Sequence, residues 1–151
     1  MYKIGSPIAD WHSWRQADTS AVARNYLKNG INLLVPRYDD LSNIQTGKDN
    51  PMGYRMVEFP LYQGIGVIGY RLVPGLTIEV ILRILTVLFS LGTCICLVIL
   101  VSRYLGIKAA YLTGLVYAIL PYSVYYGRSI LPDPLMVFLS VLAILFLDTG
   151  V

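Results

Sequence analysis

The chain has 151 residues, 56% of them hydrophobic and only 14% charged, with a mean hydropathy of +0.60. That composition lies far from the average soluble domain and points to the membrane. The formal net charge of +3 comes from Lys and Arg scattered among Asp and Glu without a basic run, which gives a nucleic-acid partner no support.

Met1 is followed by polar sequence and not by an apolar leader. A polar segment that must cross a membrane needs a span or signal before it, so the chain reads as a fragment lacking an upstream span or as a sequence with a misassigned start. The tract Ala9 to Gly30 then gathers Asp10, His12, Arg15 and Asp18, which bind or transfer protons, beside Trp11 and Trp14, amphipathic rings suited to a membrane-water boundary. Asp18 or Thr19 is expected to cap a helix running through Lys28, with Gly30 at its end and Val22 and Tyr26 on the face of Asp18. This predicts an amphipathic interfacial helix. Ile31 to Val35 reads as a short extended run ended by Pro36, and Arg37 to Tyr54 as an irregular loop with Pro51 and Gly53 as breakers. Leu61 to Leu72, apolar and interrupted by Gly64, Gly66 and Gly69, is too short to span and is expected to lie at the interface.

From Ile84 to Ser102 and from Ala109 to Gly127 no residue is charged, and each stretch is long enough to span a bilayer core. Pro134 to Leu147 is a shorter run before Asp148. A soluble bundle would keep a polar stripe on such helices, and these show none. The expected fold is an all-α polytopic membrane protein. Residues 1–77 would form an extracytoplasmic loop with interfacial helices, and 78–151 the transmembrane part, with spans near 79–102 and 109–127 and a truncated third near 134–148. Cys94 and Cys96 stand two apart, face different sides of a helix and suit packing or lipid contact better than metal. Arg103 and Lys108 put the connection between the long stretches in the cytoplasm, and Arg128 balanced by Asp133 puts the next one on the opposite face with the N-terminal loop.

Asp10, Asp18, Glu58 and Asp133 are the acids beside the membrane, where a carboxylate can gain proton affinity and act as a base. For each the plain alternative is a solvated charge or a helix cap: capping alone accounts for Asp18, and Asp133, between Pro132 and Pro134, can cap the helix that follows. Glu58 sits in VEFPLY, a rigid apolar setting. Arg15, Arg55 and Arg128 offer forked donors to phosphate oxygens, with lipid headgroups as the dull alternative. Arg83, at the start of a span, must either snorkel, the favoured reading, or pair internally with an anionic group. His12 is the lone histidine and no metal-ligand spacing surrounds it, while Tyr122, Tyr125 and Tyr126 read as an interfacial aromatic belt.

Taken in order, WRQADT at Trp14 to Thr19, AVARNYLKNG, LLVP, EFPLY at Glu58 to Tyr62 and RSILPDPLM at Arg128 to Met136 resemble the GT-C membrane glycosyltransferases. The nearest groups are the protein O-mannosyltransferase and aminoarabinose-transferase-like enzymes. The resemblance implies a large first extracytoplasmic loop carrying a catalytic acid, further spans downstream, and a chain inactive as this portion alone. The family's Asp-Glu pair is replaced here by Arg15-Gln16, so the loop acid would be Asp10 or Asp18. Glu58 matches the acid-then-Pro element near the donor phosphate, Asp133 the acid that starts a later family span, and Arg128 would lie nearby.

The implied reaction moves a sugar from a polyprenyl-phosphate donor to a lipid, glycan or protein acceptor at the outer face of a plasma membrane of bacterial inner-membrane type. It needs a base, positive charge or a divalent metal at the leaving phosphate, and a greasy groove. Asp10, Asp18 and Glu58 would be catalytic, with Arg15, Arg128 and Asp133 binding substrate; no residue is assigned to metal, and the cofactor is left open. The competing readings are a non-catalytic membrane transport or assembly subunit, and a lipid handler of flippase type. The uncharged spans argue against an ion route.

Overall fold

The computed structural model describes residues 12–43 and 47–149, together with Gly5 and Ile8. Among the described residues six helices follow one another: α1 (Ser13–Asn29), α2 (Leu61–Leu72), α3 (Ile78–Leu105), α4 (Ile107–Ile119), α5 (Pro121–Tyr126) and α6 (Asp133–Thr149). No β-strand is present among the described residues, only an isolated antiparallel bridge between Arg37 and Tyr54. The chain divides into two compact units, 1–83 and 84–151, with the boundary inside α3.

In the first unit α1 packs against α2. Helix α1 begins at Ser13, earlier than capping by Asp18 or Thr19 would allow. Thr19 instead donates to the Arg15 carbonyl and Ser20 to that of Gln16, at 2.9 and 2.8 Å. Back-bonding of this kind lets hydroxyl residues sit inside a helix and on its buried side. Val22 and Tyr26 are buried as the i+4 spacing requires, but Gln16, Thr19 and Ser20 are buried too, so the expected amphipathic pattern is replaced by a polar-and-apolar packed face. Gly30 ends the helix at φ +88°, its N–H on the Tyr26 carbonyl.

The run Ile31 to Val35 is a turn and not an extended segment: Asn32 Oδ1 accepts from the Leu34 N–H at 3.1 Å, an Asx turn that draws the backbone round before Pro36. Residues Pro36 to Tyr38 then pair with Gly53 to Arg55 through Tyr38 N–H to the Gly53 carbonyl and Arg55 N–H to the Pro36 carbonyl. Helix α2 buries Tyr62, Gln63, Gly64, Gly66 and Val67. Its glycines admit neighbours closely, since a Cβ on Gly64 would stand 3.2 Å from Leu33 and one on Gly69 would stand 3.2 Å from Ile81. The Tyr62 hydroxyl donates to the Leu82 carbonyl at 2.7 Å and ties α2 to the first turns of α3. Arg83 is only 6% exposed; it is buried within the fold instead of snorkelling.

Helix α3 is the one described helix long and apolar enough to cross a membrane. Its 28 residues span about 42 Å, against a hydrocarbon core of about 30 Å. In the second unit α4 runs antiparallel to α3, with Ser90 and Tyr117 hydroxyls 3.2 Å apart and Cys94 Sγ 3.9 Å from the Gly114 carbonyl. Cys94 and Cys96 are both free thiols.

The second uncharged stretch is not one helix. It divides at Leu120, which is extended at φ −60°, ψ 122°, immediately before Pro121. Proline cannot donate to the helix ladder and pushes its predecessor out of the helical region, so α4 ends after about 20 Å, short of a bilayer core. Helix α6 then runs parallel to α3. Thr86 donates to the Ser129 carbonyl at 3.0 Å, Phe89 stacks on Phe138, and Arg103 and Tyr104 both bind Asp148 at the far end.

Candidate active site

Residues 15 and 18 stand one turn apart on α1 and therefore share a face. Each carries a partner of opposite charge from the segment that leads into α2. Arg55 Nη1 lies 2.9 Å from Asp18 Oδ2, and Arg15 Nη2 lies 3.4 Å from Glu58 Oε2. The Arg55 side chain is 12% exposed and that of Asp18 24%, so this pair is largely withdrawn from water. Burial raises the proton affinity of Asp18, while the Arg55 charge opposes the rise and Asp40 adds to it. Asp40 itself is held low by Ser42, whose N–H donates to it at 2.8 Å.

Arg55 is positioned by the short pairing described above. Its guanidinium lies 5.2 Å over the Tyr38 ring, and Arg37 lies 5.2 Å over the Tyr54 ring, so the dipeptides Arg37-Tyr38 and Tyr54-Arg55 clasp each other reciprocally. Gly53 makes the clasp possible: it adopts φ +61°, and a Cβ there would stand 2.6 Å from the Tyr38 carbonyl oxygen.

Glu58 is aimed by the rigid Phe59-Pro60 entry to α2. Its second oxygen, Oε1, is buried without a hydrogen-bond partner among the described residues, and so is Oε1 of Gln63. Buried acceptors left open in this way are costly unless something donates to them. The first unit thus sets two carboxylates beside two guanidinium groups, with open acceptors at Glu58 and Gln63. Such a set can take a proton, hold a phosphate by forked donors and accept hydrogen bonds from hydroxyls.

The remaining sequence candidates belong to other segments of the chain. Asp10 lies outside the described residues. Arg128 belongs to the second unit, its guanidinium 5.4 Å over the Tyr125 ring, and Asp133 is the first residue of α6. An acid in that first turn complements the helix dipole. Tyr122, Tyr125 and Tyr126 pack on one another, with centroids 4.4 and 5.0 Å apart. No group of three His, Cys, Asp or Glu side chains converges to hold a metal among the described residues. Sequence reasoning singled out Arg55 for phosphate but missed its bond to Asp18, and missed Tyr38, Asp40 and Gln63 altogether; the mirrored Arg-Tyr and Tyr-Arg dipeptides were the available signal.

Residues 11–149 match the sequence profile of the dolichyl-phosphate-mannose-protein mannosyltransferases. No curated protein and no solved structure matches the chain. The match takes in α1, both ion pairs and every helix of the second unit, and together with the membrane-length helix α3 it makes this an integral membrane chain of glycosyltransferase type. The chain belongs to the dolichyl-phosphate-mannose-protein mannosyltransferase family.

Proposed function

We propose that this chain carries the loop chemistry of a membrane glycosyltransferase that moves a sugar from a polyprenyl-phosphate donor to an extracytoplasmic acceptor. The observation that carries the reading is the paired arrangement on α1, Asp18 with Arg55 and Arg15 with Glu58. Asp18 serves as base, because burial raises its affinity for the proton it must take from the acceptor hydroxyl. The acceptor oxygen then bonds to the anomeric carbon as the bond from that carbon to the phosphate oxygen breaks. Arg15, oriented by Glu58, neutralises the charge that develops on the leaving phosphate. Glu58 Oε1 accepts from a substrate hydroxyl. Asp10 remains a further loop acid in this scheme, and Arg128 and Asp133 are assigned substrate contact by the same chemistry of forked donor and hydroxyl acceptor.

Radiolabelled polyprenyl-phosphate mannose, offered to membranes with and without the full-length enzyme that contains this chain, tests the reading, since this portion alone is not expected to turn over. Consumption of the donor with transfer of label to an acceptor is expected only where the protein is present. Stable binding of the donor with no turnover overturns the reading in favour of a non-catalytic lipid handler.

A further inference from the structure

A cavity of about 250 Å³ opens at the C-terminal end of α1, lined by Asn25, Tyr26, Asn29, Gly30, Asn32, Val35 and Arg37. It lies about 10 Å along α1 from Asp18, because Asn25 and Asn29 continue the face of Asp18 at helical spacing. Its size is just below the range of drug-sized ligand pockets and suits one compact ring.

The polar inventory is unusual for a surface hollow. Asn25 Nδ2 is committed to the Ala21 carbonyl and to Asp39, which leaves Oδ1 as an acceptor. Asn32 Oδ1 is committed to the Leu34 N–H, which leaves Nδ2 as a donor. The Asn29 side chain is exposed and offers both a donor and an acceptor. The Tyr26 hydroxyl is tied to the Asn32 carbonyl at 2.8 Å, so its buried ring forms a fixed wall. Arg37 adds a guanidinium that stacks on Tyr54 and has no carboxylate partner among the described residues. No acid lines the cavity.

We infer that this cavity binds one sugar ring bearing an acidic substituent, with the carboxamides of Asn25, Asn29 and Asn32 on its hydroxyls and Arg37 on its anionic group. The inference goes beyond the transferase reading, and the binding does not require turnover. Alternating amide donors and acceptors match vicinal hydroxyls, and a preorganised guanidinium fork matches a carboxylate.

Calorimetry on the whole detergent-solubilised chain, with no donor present, tests it using methyl glucuronide, methyl glucoside, inorganic phosphate and tetraglutamate as probes. Methyl glucuronide should bind at least about tenfold more tightly than the glucoside, the equivalent of one charge-assisted hydrogen bond. Arg37→Gln should abolish that preference, and Asn29→Ala should weaken both sugars about tenfold without changing the melting temperature. Equal binding of the two sugars, or unchanged affinity in both variants, overturns the inference. Phosphate or tetraglutamate binding as tightly as the glucuronide also overturns it, in favour of a plain anion or peptide site. Loss of the transferase reading would appear separately, as glucuronide binding without donor turnover.

Discussion

Arg55 and Asp18, distant in sequence, meet at 2.9 Å, and the same guanidinium stacks on Tyr38. The pair is doubly held, once by charge and once by the ring. Arg55→Gln removes the charge that opposes the rise in Asp18 proton affinity. The expected result is a pH-rate profile displaced to higher pH and a stability loss of about 2 kcal/mol, the size of a charge-assisted hydrogen bond. Unchanged profile and unchanged denaturation midpoint would show that the contact carries no energy.

Asp18 also gives stability a defined pH dependence. Its carboxyl is raised above the ordinary value of 3.8, chiefly by burial, so the folded chain binds this proton more tightly than the unfolded chain. That contribution is fully present below the unfolded value and is lost as pH rises through the folded one. Asn at this position does not titrate. The stability of wild type relative to Asp18→Asn should therefore fall as pH is raised from below the ordinary carboxylate value through the raised one, measured by chemical denaturation at each pH. A difference that grows across that window would contradict the sign.

Gly53→Ala tests the clasp that delivers Arg55. The new Cβ would meet the Tyr38 carbonyl oxygen at 2.6 Å in a backbone held at φ +61°, a strain of about 1–3 kcal/mol. Donor turnover should fall with the loss of Arg55 placement, and hydrogen exchange at the Tyr38 and Arg55 amides should rise. Retained protection at both amides would show that the clasp absorbs the methyl group.

In the second unit, a Cβ on Gly92 would stand 2.6 Å from the Phe138 ring. Gly92→Ala should destabilise by about 1–3 kcal/mol, as overpacking does, and Phe138→Leu should recover part of that loss in the double variant. Additive losses in thermal unfolding would place the two residues out of contact.

The all-helical class, the long helix α3 and the end of α1 at Gly30 were legible because uncharged length and glycine chemistry are local signals. The bounds of α2 were legible in the same way, since the helix begins after Pro60 and ends just ahead of the breakers Pro74 and Gly75. The start of α1 was misread because Asp18 and Thr19 are good caps in isolation; Thr19 spends its hydroxyl on Arg15 within the helix instead. Pro121 was in plain view, yet the unbroken hydropathy around it outweighed its known effect on the preceding residue. The ion pairs were not legible, because Arg55 and Glu58 reach α1 only through the Gly53 turn and the entry to α2, and nothing local records that.

The most direct measurement is the turnover of polyprenyl-phosphate mannose by membranes containing the full-length enzyme around this chain, as Asp18→Asn, Glu58→Gln or wild type at matched abundance. Removing a general base costs about 10²–10⁴-fold, so Asp18→Asn should lose at least a hundredfold in rate. Glu58→Gln, which frees Arg15, should lose rate as well while donor binding persists. Wild-type turnover in both variants would contradict the assignment of catalysis to this face of α1.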